Sequence, residues 1–203
     1  MEIPPLPSPV YADKTVLLAS GSPRRRELLH MILPHFEIAS PRDVDEKYPS
    51  TIAPENVPVF LSQLKAFAYL DELKPSEIII TADTVVILEG HILGKPHSRE
   101  EARQMLHDLC GKTHTVVTGV TLTSLEGKKT DSFAEHTQVH CSKLSDREID
   151  EYIERYRPFD KAGAYGIQEW FGAAAISGID GCYYNVMGLP VHALYEHLRH
   201  FFD

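Results

Sequence analysis

The chain has 203 residues, of which 43% are apolar, 9% aromatic and 24% charged; this composition suits a globular protein and excludes a disordered or fibrous one. Its 20 basic and 29 acidic residues leave a formal net charge of −9, which argues against broad nucleic-acid binding, because that needs a basic face. A small basic pocket around one phosphorylated ligand remains compatible with it.

No run approaches the roughly 18 consecutive apolar residues of a transmembrane helix, so no membrane span is expected. Met1 to Pro9 has neither the basic nor the apolar region of a signal peptide, and a cytoplasmic protein is expected. Pro4, Pro5, Pro7 and Pro9 predict an extended leader over residues 1–14, ahead of one α/β domain over 15–203. Cys110, Cys141 and Cys182 are odd in number and widely spaced, and read as free thiols.

Thr15–Ala19 is a short apolar run that predicts a buried strand. Ser22 caps a helix that begins at Pro23 and continues to Leu33. Phe36–Ala39 predicts a second strand, and Ser40–Thr51 a polar loop with Asp43, Asp45 and Glu46. Pro54–Leu73 reads as a helix with Val57, Leu61, Leu64 and Ala68 on one face. Glu77–Leu88 is a long strand, turned by Glu89-Gly90 into His91–Leu93. Arg99–Leu109 is amphipathic and helical. Thr115–Leu122 and Phe133–Cys141, separated by Glu126–Lys129, predict an antiparallel pair. Asp146–Tyr156 and Pro190–Phe202 close the series as helices. The alternation implies a mixed, twisted sheet flanked by helices, with two lobes around a central cleft. Ligands of such sheets bind beyond the carboxyl ends of strands, so the residues after each strand are the candidates.

Ser20-Gly21-Ser22-Pro23-Arg24-Arg25-Arg26 follows a strand and opens a helix. Free N–H groups and the positive end of the dipole favour an anion there. The hydroxyls of Ser20 and Ser22 add donors, and one or two of the arginines can fork onto phosphate. Asp83 and Thr84 stand on the apolar strand, where a carboxylate can hold a metal or take a proton from water. Glu46, in the loop after the second strand, can share a divalent cation with Asp83 if that loop folds over the same crevice. Lys65 among apolar neighbours reads first as a solvent-seeking side chain. Lys95, between Gly94 and Pro96, has the setting of a placed charge. In Asp160–Gln168 the glycines and alanines permit close backbone approach, or simply a tight turn. The Gln168 amide offers a donor and an acceptor, as reading a base edge requires.

Other fragments fail. Gly111-Lys112-Thr113 resembles the end of a P-loop, but Leu106 stands where the first glycine belongs. There is no HExxH and no GxSxG.

Taken in order, Ser20–Arg25, Asp45-Glu46, Lys65-Ala66, Ala82–Thr84, Gly94–Pro96, Gly111–His114, Lys161–Gln168 and Gly188–Pro190 resemble the Maf family of nucleoside triphosphate pyrophosphatases. The resemblance runs from about Leu17 to Phe201. It implies a Maf- and ITPase-like fold with a nucleotide-binding cleft and hydrolysis at the α-phosphorus that releases monophosphate and pyrophosphate. It also implies a divalent metal ion (Mg²⁺ or Mn²⁺) on Glu46 and Asp83, with Asp83 activating water, and a homodimer. Arg25, Lys65 and Lys95 are expected to hold the triphosphate. Arg24, Thr84 and Gln168 match a subgroup that prefers dTTP and UTP, whereas a subgroup acting on 7-methyl-GTP has tryptophan, glutamine and glutamate there. Glu169-Trp170-Phe171 departs from the glycine-rich stretch expected after the glutamine. A nucleotide-binding regulator of cell division without turnover is the alternative.

Overall fold

The computed structural model describes residues 13–201; the proline-rich leader, up to residue 12, and Phe202 lie outside the described residues. Fourteen elements follow in chain order: β1 Thr15–Leu18, α1 Pro23–His30, β2 Glu37–Ile38, α2 Val57–Phe67, β3 Glu77–Leu88, β4 His91–Leu93 and α3 Arg99–Leu109, then β5 Thr113–Ser124, β6 Lys129–Cys141, α4 Asp146–Tyr156, α5 Trp170–Ala175, β7 Ile176–Asp180, α6 Tyr183–Met187 and α7 Val191–His200.

Where caps and periodicity agree, the expected boundaries stand. Ser98 Oγ accepts the Glu101 N–H at the start of α3. Ser145 and Glu148 form a reciprocal capping box at the start of α4. The helix expected over Pro54–Leu73 is shorter. Its first turn, Pro54–Asn56, is a 3₁₀ turn, and α2 ends at Phe67. There the bonds tighten to i→i−3, Ala68 N to Lys65 O and Tyr69 N to Ala66 O. Arg42 Nη1 donates to the Ala68 carbonyl at 2.7 Å, so a long-range partner replaces the helical one. The sequence reading did not anticipate α5, β7 and α6. They have six, five and five residues, too short for periodicity to register.

The strands form one mixed sheet of order β2-β1-β3-β5-β6-β7, with β4 also on β3. β1 runs parallel to β2 and β3, and the remaining pairs are antiparallel. Both β1 and β4 use the same edge of β3. β1 covers it as far as Ile80, and β4 resumes at Val86. Residues 81–85 of the central strand therefore face a gap between two shorter strands. This is the crevice expected of an open α/β sheet, at the point where chain direction changes.

One sheet face is covered by α2, whose Val57 and Leu61 pack on Val85, Ile87 and Val117. Gly119 makes that contact possible. A Cβ there would lie 2.3 Å from backbone atoms of Pro58 and Val59. The opposite face carries two cores. α1 and α7 bury Val16, Leu18, Ile78 and Ile80, while α3, α4 and α5 bury Val86, Leu88, Val116 and Val139.

A belt of polar groups divides the two cores. Thr84 Oγ1 and Thr118 Oγ1 share a hydrogen at 2.9 Å. Thr118 Oγ1 donates to the Asn185 carbonyl, and Asn185 Nδ2 donates to Val116 O and Thr137 Oγ1. Buried polar groups paired in this way fix the register between the two cores. The three cysteines are free thiols.

Candidate functional site

The gap in the β3 edge opens into a cleft of about 480 Å³. Its walls are the start of α1, the loop after β2, the exposed flank of α2, Lys95 after β4, and Asp160. Ser20, Ser22, Arg24, Arg25, Glu46, Lys65 and Lys95 all line it, although they come from four separate segments.

At the start of α1, Ser22 is the N-cap and its Oγ accepts the Arg25 N–H at 3.4 Å. Ser20 Oγ accepts the Ser22 N–H at 3.2 Å. Both hydroxyls thus orient the turn and can turn their own hydrogens to a ligand. A helix start that faces a cleft favours an anion there.

The three successive arginines have three fates. Arg24 Nη1 reaches Asp160 Oδ2 at 2.7 Å. Arg25 turns inward: its Nε donates to Gly188 O and Nη1 to Ala82 O, each at 2.8 Å, and Nη2 to Thr84 Oγ1 at 3.0 Å. Ala82 O lies on the unpaired stretch of β3, so Arg25 satisfies a carbonyl that no strand reaches. Burial lowers the pKa of this guanidinium, and the Asp83 carboxylate opposes that shift. Arg26 is exposed.

At the cleft floor, Lys65 Nζ lies 2.6 Å from Asp83 Oδ1 and 3.0 Å from Glu46 Oε1. Its side chain is 18% exposed and that of Asp83 13%, so the ammonium points inward from α2. The solvent-seeking reading of Lys65 is set aside by this contact. Glu46 arrives because its loop is fastened to the end of α2. Arg42 pairs with Glu72 and lies over the Tyr69 ring, and the Tyr69 hydroxyl donates to Ser40 O at 2.9 Å. The neighbouring Asp45 is turned to Lys47.

Two candidates stand apart. Thr84 points to the opposite sheet face from Asp83, and its hydroxyl is engaged by Arg25 and Thr118. Gln168 is exposed and lines a second depression, with Ile176, Ile179 and Tyr183. The glycines of Asp160–Gln168 serve packing. A Cβ on Gly163 would be 3.0 Å from the Val86 side chain, and one on Gly166 would be 2.8 Å from the Glu169 carboxyl carbon.

The sequence reading passed over Arg42, Tyr69 and Glu169. Arg42 and Tyr69 belong to a loop and a helix end without periodicity. Glu169 stood out only as a departure from the expected glycines.

A mixed α/β sheet with a cation-lined crevice beyond a parallel strand, where Lys65 pairs with the carboxylates of Glu46 and Asp83, has the form of a site for a phosphorylated ligand. The chain belongs to the Maf family: residues 15–201 match the Maf-like protein family. A dTTP/UTP pyrophosphatase of Phocaeicola vulgatus is 50% identical over 91% of this chain and 94% of its own length. One of Porphyromonas gingivalis is 51% identical over 92% and 94%. Among solved structures, a nucleoside-triphosphatase (dITP/XTP pyrophosphatase) of Mycobacterium abscessus superposes with TM-score 0.39 at 14% identity, over 64% of this chain and 75% of that one.

Proposed function

We propose that this chain is a nucleotide pyrophosphatase that hydrolyses dTTP and UTP to the monophosphate and pyrophosphate. The observation that carries the reading is Lys65 held between Asp83 and Glu46 at the floor of a cleft with Ser20, Ser22, Arg24 and Lys95 on its walls. The relatives named dTTP/UTP pyrophosphatase, at 50 and 51% identity over nearly their whole length, support the substrate class.

The barrier to phosphoanhydride hydrolysis is charge repulsion and positioning. The α1 N-terminus with Ser20 and Ser22 receives phosphate oxygens, and Lys95 and Lys65 bring positive charge to them. Arg25, spent on carbonyls, sets the backbone of β3 and Gly188 around the phosphate site. Asp83, the less exposed carboxylate, orients the attacking water and accepts its proton. Of the three residues expected to distinguish the O4 and N3–H edge common to thymine and uracil, Arg24 stands on the cleft wall, whereas the Thr84 hydroxyl is held by Arg25 and Thr118 and Gln168 lies in a second depression.

A divalent cation, Mg²⁺ or Mn²⁺, fits this donor set. Two carboxylates already converge on one positive group, Lys65. Among the described residues no cluster of three or more acidic, histidine or cysteine side chains forms an all-protein cage. Magnesium commonly takes one or two carboxylates and completes its shell with water and substrate phosphates. Glu46 and Asp83 would hold it, and when bound it supplies neutralisation of charge developing on phosphate oxygens.

The family resemblance also supports a homodimer. No helix among the described residues is long and apolar enough to cross a membrane.

Pyrophosphate release from dTTP, UTP, CTP, their 5-methylated forms, GTP and 7-methyl-GTP, with Mg²⁺ and with Mn²⁺, tests the reading. Fast release from dTTP and UTP, lost in Asp83→Asn, is expected. Release from 7-methyl-GTP alone would keep the hydrolase and remove the base-reading residues. Tight nucleotide binding without release would favour a regulator.

A further inference from the structure

Glu169 occupies a position where the family resemblance leads one to expect glycine, and both its carboxylate oxygens are engaged. Oε2 accepts the Tyr152 hydroxyl at 2.5 Å. Oε1 lies 3.0 Å from Lys161 Nζ, with the Glu169 side chain 17% and the Lys161 side chain 9% exposed. Lys161 Nζ also donates to Asp160 Oδ1 at 2.8 Å. The other oxygen of Asp160 takes Arg24 Nη1 at 2.7 Å. An alternating chain of four charges therefore runs from the start of α5 to the cleft, where Asp160 and Arg24 are wall residues.

The backbone closes around this chain. The Gly166 N–H donates to the Tyr152 hydroxyl at 3.1 Å, and the Glu169 N–H donates to Gly166 O at 3.1 Å. Tyr152 is itself 1% exposed in the α4 core. The network thus has a rigid end on α4 and a working end at the cleft.

Charge arithmetic explains why Glu169 is needed. A buried ammonium is costly unless paired. With Asp160 as its only partner, Lys161 would draw that carboxylate inward, away from Arg24. With Glu169 beside it, Lys161 is balanced, and Asp160 is shared between two cations. Partial burial works against ionised Asp160, but hydrogen bonds from Lys161 and Arg24 outweigh it and bring the carboxyl down to about 2. Lys161 in turn offsets the repulsion that Asp160 would exert on an incoming triphosphate.

We infer that Glu169 is a positioning residue for nucleotide recognition, holding Lys161, and through it Asp160 and Arg24, in place at the cleft wall. The inference rests on the cleft being the nucleotide site.

Glu169→Gln keeps the size of the side chain and an acceptor for Tyr152 but removes the charge. The expected result is a KM for dTTP raised about tenfold, the effect of losing one charge-assisted hydrogen bond, with kcat within about twofold because the phosphate floor is untouched. Tyr152→Phe, which keeps the charge and loses the hydroxyl's bonds to Glu169 and Gly166, should raise KM in the same sense by about threefold; it reads the same split if the first variant does not fold. Ile153→Val, in the α4 core and 2% exposed, controls for general destabilisation and should leave KM unchanged. An unchanged KM in Glu169→Gln or Tyr152→Phe, an equal rise in Ile153→Val, or a fall in kcat alone would each overturn the positioning role. A wild-type chain that neither hydrolyses nor binds any nucleotide would overturn the reading of the cleft, and this inference with it.

Discussion

Lys65 Nζ lies 2.6 Å from Asp83 Oδ1, across the gap between α2 and the central strand. Neither partner is free in water, since their side chains are 18% and 13% exposed. Lys65→Met removes the cation and leaves Asp83 and Glu46 facing the same phosphate. Steady-state pyrophosphate release from dTTP should fall about 100-fold, the usual cost of one preorganised charge at a reacting centre. Lys65→Arg should not restore it, because a planar fork cannot stand in for a point charge in this space. Retention of half the wild-type rate in Lys65→Met would remove Lys65 from the machinery.

Thr84 separates the two ways of reading its role. Its Oγ1 accepts from Arg25 and shares a hydrogen with Thr118. Thr84→Val keeps the volume and breaks both contacts. Stability to urea should drop by about 1–2 kcal/mol, the usual cost of leaving buried polar groups unpaired. If Thr84 acts through Arg25, kcat/KM for dTTP, UTP and CTP should fall by the same factor. A changed ratio between bases would instead put the hydroxyl on the base itself.

Gly119 is required by close packing rather than by its backbone angle. An added Cβ would sit 2.3 Å from Pro58 and Val59 backbone atoms, which no rotamer change relieves. Gly119→Ala should cost about 3 kcal/mol, at the upper end for overpacking. Because the displaced helix carries Lys65, activity should be lost with the stability, whether read by denaturant midpoint or by dTTP turnover.

His114 gives the fold a pH dependence. It is 2% exposed, and its Nε2 pairs with the Tyr165 hydroxyl at 2.7 Å. Desolvation, then the nearby His140, lowers its pKa to about 4, from the ordinary histidine value of about 6.5. Between those values the unfolded chain holds a proton that the folded chain lacks, so this contribution to stability falls as pH falls from about 6.5 to about 4. The full difference is about 3 kcal/mol. Denaturant midpoints taken from pH 7 to 4 should decline less in His114→Gln than in wild type. Parallel curves would show that His114 does not titrate as its burial dictates.

The long elements were legible because their signals are local. Ser98 and Ser145 cap α3 and α4, apolar periodicity marks their buried faces, and both helices have the expected boundaries. α5, β7 and α6 are too short for that signal, and long-range packing stabilises them instead. Asn185 in α6 is held by Val116 O and Thr137 Oγ1 on two different strands. In the site, the helix start at Ser22 and the strand position of Asp83 could be read directly. The partners of Arg25, Gly188 O and Ala82 O, could not, since they are 163 and 57 residues away.

Local signals along the chain were enough for the order of the main strands and helices, an anion-favouring turn at Ser20–Arg26, and a set of spaced motifs that resemble one family. Those features depend on neighbours within a few residues, where chain geometry leaves little freedom. The tertiary structure alone decided which charges meet. Strand pairing left residues 81–85 of β3 uncovered on one edge. Alternation along that strand sent Asp83 to Lys65 and Thr84 to Arg25, on opposite faces of the sheet. It also tied Glu169 through Lys161 and Asp160 to Arg24. A side chain's partner across a sheet depends on register and on which helix covers each face, and both are properties of the whole packed chain.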